Sequence, residues 1–172
     1  AAEGAVLIPV SNTSPDPQTA VISLSELPFE PSFVVNLTTG AFTDARGSGG
    51  AMEFGTNLDA YHGALYAAFP ARPTECDVVV KTGEFEPGGD LICEVRLRCA
   101  EGRPQPGTFM LNAEITDPDG DSCRQLGGPV TVRDGRATVR RALPVNAPTG
   151  RWRIRVRDEI VGVEGQCEFC VG

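Results

Sequence analysis

Lysine is almost missing from this chain. Its 172 residues hold fifteen basic and twenty-three acidic side chains, and Lys81 is the lone lysine among arginines, a bias that reflects composition more than a need for guanidinium chemistry. The net charge of −8 argues against a phosphate backbone as partner, because nucleic-acid affinity comes from neutralising phosphates. No nucleic-acid partner is expected. Histidine occurs once, as His62, which leaves little imidazole for a metal site or an acid–base pair. No run of about 18 apolar residues occurs, so the sequence offers no membrane-spanning helix and no membrane span is expected. Helical periodicity is lacking too. Residues 57–69 come closest to it, but Gly63 and the β-like run from Leu65 to Phe69 argue against a helix there.

What the sequence does have is alternation. Leu91, Cys93, Val95, Leu97 and Cys99 fall on one side of an extended run, while Glu94, Arg96 and Arg98 fall on the other. The pattern returns in Phe109, Leu111, Ala113 and Ile115. It returns again in Trp152, Ile154 and Val156, with Arg151, Arg153, Arg155 and Arg157 facing away. This is the period of strands with one buried face. Twenty glycines and fourteen prolines lie between such runs, as an all-β chain with frequent turns requires. The expected fold is an immunoglobulin-like antiparallel β-sandwich with an additional N-terminal β-rich segment. Trp152 is its expected core anchor, since one indole buries ~150–250 Å².

Two regions differ in texture, and the expected division is residues 1–75 and 76–172. The first holds an apolar start (Val6, Leu7, Ile8, Pro9, Val10), strand candidates at Ala20 to Leu24, Phe33 to Leu37 and Leu65 to Phe69, and a glycine-rich loop from Asp44 to Gly50. These pieces look too short and too scattered to form a sandwich alone, so they are expected to pack on the second region or on a neighbouring molecule. Val6, Leu7, Ile8 and Val10 suit either strand addition to an adjacent subunit or pairing within their own chain.

The second region carries a resemblance. Pro87-Gly88-Gly89-Asp90 leads into Leu91 to Val95. Ile115-Thr116-Asp117-Pro118-Asp119-Gly120 follows, then Asp134-Gly135-Arg136-Ala137, and finally Leu143 to Ile154 through Ala147-Pro148-Thr149-Gly150. In this order, residues 76–163 resemble the macroglobulin-type, immunoglobulin-like domain of bacterial surface proteins and of secreted carbohydrate-active enzymes. The resemblance implies a seven-stranded sandwich serving as a spacer, assembly or binding module, without catalysis.

Candidate chemistry is sparse. Cys76, Cys93, Cys99, Cys123, Cys167 and Cys170 favour structural disulfides in an oxidising compartment. Cys93 and Cys99 share one face of one strand roughly 20 Å apart, so they cannot bond each other. Cys167-Glu168-Phe169-Cys170 has redox or half-zinc spacing, yet three apart on a strand means opposite faces. Asp117, Asp119 and Asp121 resemble the opening of a calcium loop but lack its later glycine and bidentate glutamate. Asn12 and Asn36 head glycosylation sequons. No Gly-x-Ser-x-Gly elbow or phosphate-binding loop is present, and His62 has no assigned partner. The arginine row at 151, 153, 155 and 157 needs acids beside it, either within the sheet, with Glu114 a candidate, or across an intersubunit seam. The chain begins at Ala1 without methionine, as a signal-cleaved end or a trimmed one would.

These features together predict a non-catalytic extracellular or cell-surface structural protein that self-assembles, as a surface layer or filament, with copies of itself as partners and no cofactor. The alternative is an accessory module of a larger secreted enzyme, with extracellular polysaccharide as partner.

Overall fold

The computed structural model describes residues 5–43, 45–81 and 83–172; Asp44, in the glycine-rich loop, lies outside them. Among the described residues regular structure is β, apart from one 3-10 turn at Ala100–Gly102. The chain forms two compact units, Ala1–Arg72 and Pro73–Gly172.

The first unit holds six strands: β1 (Val6–Ser11), β2 (Gln18–Leu24), β3 (Phe33–Asn36), β4 (Phe42–Thr43), β5 (Met52–Leu58) and β6 (Gly63–Phe69). They make a four-stranded sheet in the order β1-β6-β3-β4 and a two-stranded sheet, β2-β5. Ile8, Val34, Met52, Phe54, Tyr66 and Ala68 form its core, with Ile22 and Leu24 of β2 packed against it half-buried. These pieces therefore share an apolar interior of their own. Register supplies the reason: β1 pairs with β6 over six residues and β2 with β5 over seven, so short runs from distant parts of the chain add into one apolar interior. Met52, Phe54, Thr56 and Leu58 alternate inward along β5, a strand the sequence reading missed. The buried Thr56 hydroxyl is satisfied by the Tyr66 hydroxyl, which removes the desolvation cost of a polar group in that row.

The second unit holds β7 (Glu75–Val80), β8 (Glu84–Phe85), β9 (Asp90–Arg98), β10 (Thr108–Thr116), β11 (Gly128–Arg133), β12 (Arg136–Ala142), β13 (Gly150–Arg157) and β14 (Glu164–Val171). Hydrogen bonding runs in the order β7-β9-β12-β11-β10-β13-β14-β8. This order folds over at the β11–β12 hairpin, where Arg133 opposite Arg136 is the register pair. The result is the two-layered immunoglobulin-like sandwich. Asp134 and Gly135 make the fold-over, both at positive φ (46° and 74°), the two-residue turn that matches strand twist and favours Asp-Gly. Pairing is antiparallel except between β14 and β8, which run parallel.

The predicted alternation holds along the long strands. Leu91, Cys93, Val95 and Leu97 of β9, Phe109, Leu111, Ala113 and Ile115 of β10, and Trp152, Ile154 and Val156 of β13 all point into the core. Trp152 is 1% exposed, stacks on Phe169 at 6.1 Å between centroids, and donates its indole N–H to the Pro148 carbonyl at 3.0 Å. That bond explains the Ala-Pro-Thr-Gly approach: the loop brings a carbonyl to the one polar atom of a buried ring.

Candidate functional site

The row of arginines on β13 is the most ordered charged feature of the surface. Because side chains alternate across a strand, the inward Trp152, Ile154 and Val156 force residues 151, 153, 155 and 157 onto the outer face. Next to β13, β14 brings its own outward residues into register, Arg151 opposite Cys170, Arg153 opposite Glu168, Arg155 opposite Gln166 and Arg157 opposite Glu164. Glu168 lies between two guanidiniums, 3.4 Å from Arg151 and 3.6 Å from Arg153. Glu164 receives two hydrogen bonds from Arg155, and this contact raises the guanidinium's already high pKa further. Glu114, on the other side of β13, stands opposite Arg155 in the register. The acids beside the row are thus intramolecular, and the second layer shows the same device. Glu94 on β9 binds Arg96 at 3.0 Å and Lys81 at 3.3 Å, and the Arg96 hydrogen bond leads in holding its carboxyl below the usual range. Arg98 reaches Glu75 at 3.2 Å and Asp77 at 3.0 Å. Such exposed pairs fix side chains in register and add little stability.

The cysteine expectation is corrected: all six are free thiols. Cys76, Cys93 and Cys99 are buried as small apolar residues would be. Burial, with Asp77 and Asp158 nearby, pushes the Cys76 thiol up to about 12. Burial also pushes that of Cys93 up to about 11. Both stay protonated at neutral pH, and it is the thiolate that reacts. The Cys99 sulfur faces the Arg103 carbonyl at 3.5 Å. Cys123 is half-buried, its thiol raised by burial and by Asp117 and Asp121. Cys167 sits opposite inward-facing Ile154, whereas Cys170 is exposed opposite Arg151, so this pair does not converge on a metal or on a single bond.

The calcium candidate, Asp117, Asp119 and Asp121, lies in the turn that follows β10. Oδ1 of Asp117 accepts the backbone N–H groups of Asp119 and Asp121 at 3.0 and 2.9 Å. That carboxylate oxygen closes its own turn. Among the described residues no group of three or more His, Cys, Asp or Glu side chains is placed to hold a metal ion.

Asn12 is buried, and its Nδ2 donates to the carbonyls of Asp16, Asp59 and Leu58 at 2.8, 3.0 and 3.4 Å. A glycan on that nitrogen would break the contacts that tie β1 to the β5–β6 hairpin, so this candidate is withdrawn. Asn36 stands in a surface turn and accepts from the N–H groups of Thr38 and Thr39. His62 lies in the β5–β6 turn, where its carbonyl accepts from the Asn12 N–H at 2.8 Å. The N-terminal strand candidate, Val6, Leu7, Ile8 and Val10, finds its partner in β6 of its own chain, with Ile8 buried. Its ladder is intramolecular because Ile8 completes the interior formed with Tyr66 and Ala68.

One group escaped the sequence reading. Asp158, in the turn after β13, is 1% exposed; its Oδ1 accepts from the N–H groups of Ile160 and Val161 at 2.7 and 3.2 Å. Oδ2 is buried without a hydrogen-bond partner, and burial raises its pKa. The open concavities of the second unit, such as one of about 330 Å³ lined by Glu94, Arg96, Arg136 and Thr138, are polar. They resemble the surface between strands more than the apolar clefts that hold small ligands.

No family model matches the chain, and no curated protein matches it. Solved structures similar in part include the Yersinia pseudotuberculosis adhesin InvE (10% identity, TM-score 0.46, 99% of this chain and 55% of that one). A β-glucosidase from Listeria innocua is similar at 17% identity and TM-score 0.36, over 57% of this chain and 16% of that one. A putative β-galactosidase from Bacteroides fragilis is similar at 12% identity and TM-score 0.37, over 99% of this chain and 33% of that one. With TM-scores below 0.5, no relationship follows from these likenesses. Among the described residues no helix is long and apolar enough to cross a membrane.

Proposed function

We propose that this chain is a non-catalytic structural module of the cell exterior, two β-sandwich units in tandem, that works by associating with copies of itself. What carries this reading is how the two units treat their exposed strands. In the second unit many of the outward charges pair with one another along β9, β13 and β14. In the first unit a long strand, β2, keeps one edge without a ladder partner among the described residues. A sandwich whose charges pair within the chain, preceded in sequence by an open-edged unit, suits a building element, and the macroglobulin-type resemblance of residues 76–163 belongs to the same proposal. The exterior placement does not draw on the thiols, since the six are free.

Electron microscopy and light scattering on the full chain test the reading. Oligomers that grow with concentration are expected. A monomer at every concentration, with binding on a polysaccharide array, would replace it with the accessory-module alternative.

A further inference from the structure

We propose that β2 is a homophilic seam: two copies of this chain pair β2 to β2, antiparallel, about a twofold axis at Val21. The inference rests on the reading of the chain as self-associating and names the strand that does it.

Among the described residues the sheet β2-β5 has two strands, and β2 is bonded along one side only. On its other side, alternate backbone N–H and C=O groups face outward. Sheet edges of this kind are templates for another strand, and folded proteins blunt them with charge, proline, shortness or cover. The other edges of the first unit are blunted. β1 has Pro9 in its middle, a residue with no N–H to offer. β4 is two residues long. The far side of β5 is occupied at Glu53, which exchanges backbone bonds with Arg46 at 2.9 and 2.6 Å. β2 reads Gln-Thr-Ala-Val-Ile-Ser-Leu over seven residues, without a charge, a proline or a glycine.

Its sequence also fits itself. Antiparallel pairing about Val21 sets Thr19 against Ser23 of the other copy, Ala20 against Ile22, Gln18 against Leu24, and Val21 against its own counterpart. On the outer face, small hydroxyls flank a pair of β-branched side chains, a favourable cross-strand combination. Val21 is 68% exposed in the single chain. On the inner face, half-buried Ala20, Ile22 and Leu24 gain cover as the two-stranded sheet becomes four-stranded. In a chain of net charge −8, copies repel in general, and an uncharged edge is where they approach at least electrostatic cost. A seam of one strand is small, so the dimer is of the weak, concentration-dependent kind.

Sedimentation equilibrium on the full chain tests this, comparing the wild type with Val21→Lys and with Leu7→Lys as a control on β1, each checked for fold by circular dichroism. The wild type and Leu7→Lys should dimerise, and Val21→Lys, which sets like charges face to face across the axis, should weaken dimerisation at least tenfold. Hydrogen exchange of the wild type is the second measurement: amides of residues 18–24 should gain protection as concentration rises. Dimerisation that Val21→Lys leaves intact, or protection that stays constant in β2, overturns the seam while leaving self-association standing. A wild type that remains monomeric overturns both.

Discussion

The two units solve the same burial problem with different amounts of chain. The second spends eight strands on one interior in which Trp152, Phe169, Leu91, Leu97, Leu111, Ile115 and Ile154 are almost completely covered. The first encloses a smaller core with a sheet of four strands over a sheet of two, and the inward residues of β2 stay half-buried. Packing close to crystal density makes an interior sensitive to single groups, so the second unit should be intolerant where the first is forgiving. Completeness of layering, more than composition, separates them.

Trp152→Ala presses hardest on that contrast. Removing a fully enclosed indole, and the bond to Pro148, should cost the second unit ~3–5 kcal/mol, measured by denaturant unfolding. A loss below about 1 kcal/mol would mean that the ring is not the anchor. A paired glycine test comes next. A Cβ on Gly165 of β14 would lie 2.2 Å from the Cys76 backbone oxygen, whereas one on Gly55 of β5 meets nothing within 4 Å. Gly165→Ala should destabilise by ~1–3 kcal/mol through overpacking. Gly55→Ala should be neutral or stabilise by up to ~1 kcal/mol, by restricting the unfolded chain. Equal melting shifts for the two would erase the proposed difference in packing.

Asp158 sharpens the comparison through pH. Its carboxyl titrates higher when folded than when unfolded, because burial disfavours the charge and Glu159 adds to that. The folded state therefore holds the proton more tightly. Stability from this group is full below the ordinary aspartate range, near ~3.9, and is lost as pH rises through the elevated folded value. Asp158→Asn keeps the Oδ1 acceptor and removes the titration, so the variant should gain on the wild type as pH increases from 3 to 7, as read from midpoints of thermal melts. A constant difference across that range would show that the group is charged at no cost. The smallest effect belongs to Arg155→Ala, on the solvent face, where a slight fall in melting temperature should vanish in high salt as the Glu164 interaction is screened.

The second unit was legible in sequence because each long strand carries an apolar row on one side and charges on the other, so period and face are both written locally. The first was not, and β5 shows why. Its inward row includes Thr56, polar by type and acceptable only because Tyr66 meets its hydroxyl, a partner that no local window contains. β2 finds its complement thirty or so residues on, which periodicity cannot announce. The arginine row calls for acids beside it, within the sheet, with Glu114 the candidate, or across a seam. The ion-paired acids turned out to be Glu164 and Glu168, on a strand whose small and polar residues hid its alternation. The cysteines misled because residue type suggested cross-links, while the fold uses Cys76, Cys93 and Cys99 as buried filler.

The parallel contact between β8 and β14 has a mechanical consequence. Cys170 N–H bonds to Gly83 and Gly172 N–H to Phe85, both at 3.0 Å, so the short second strand of this unit, β8, and its last strand, β14, lie side by side pointing the same way. A pull on Gly172 along the direction of β14 would slide that strand past β8, straining the bonds between them together instead of peeling them one by one.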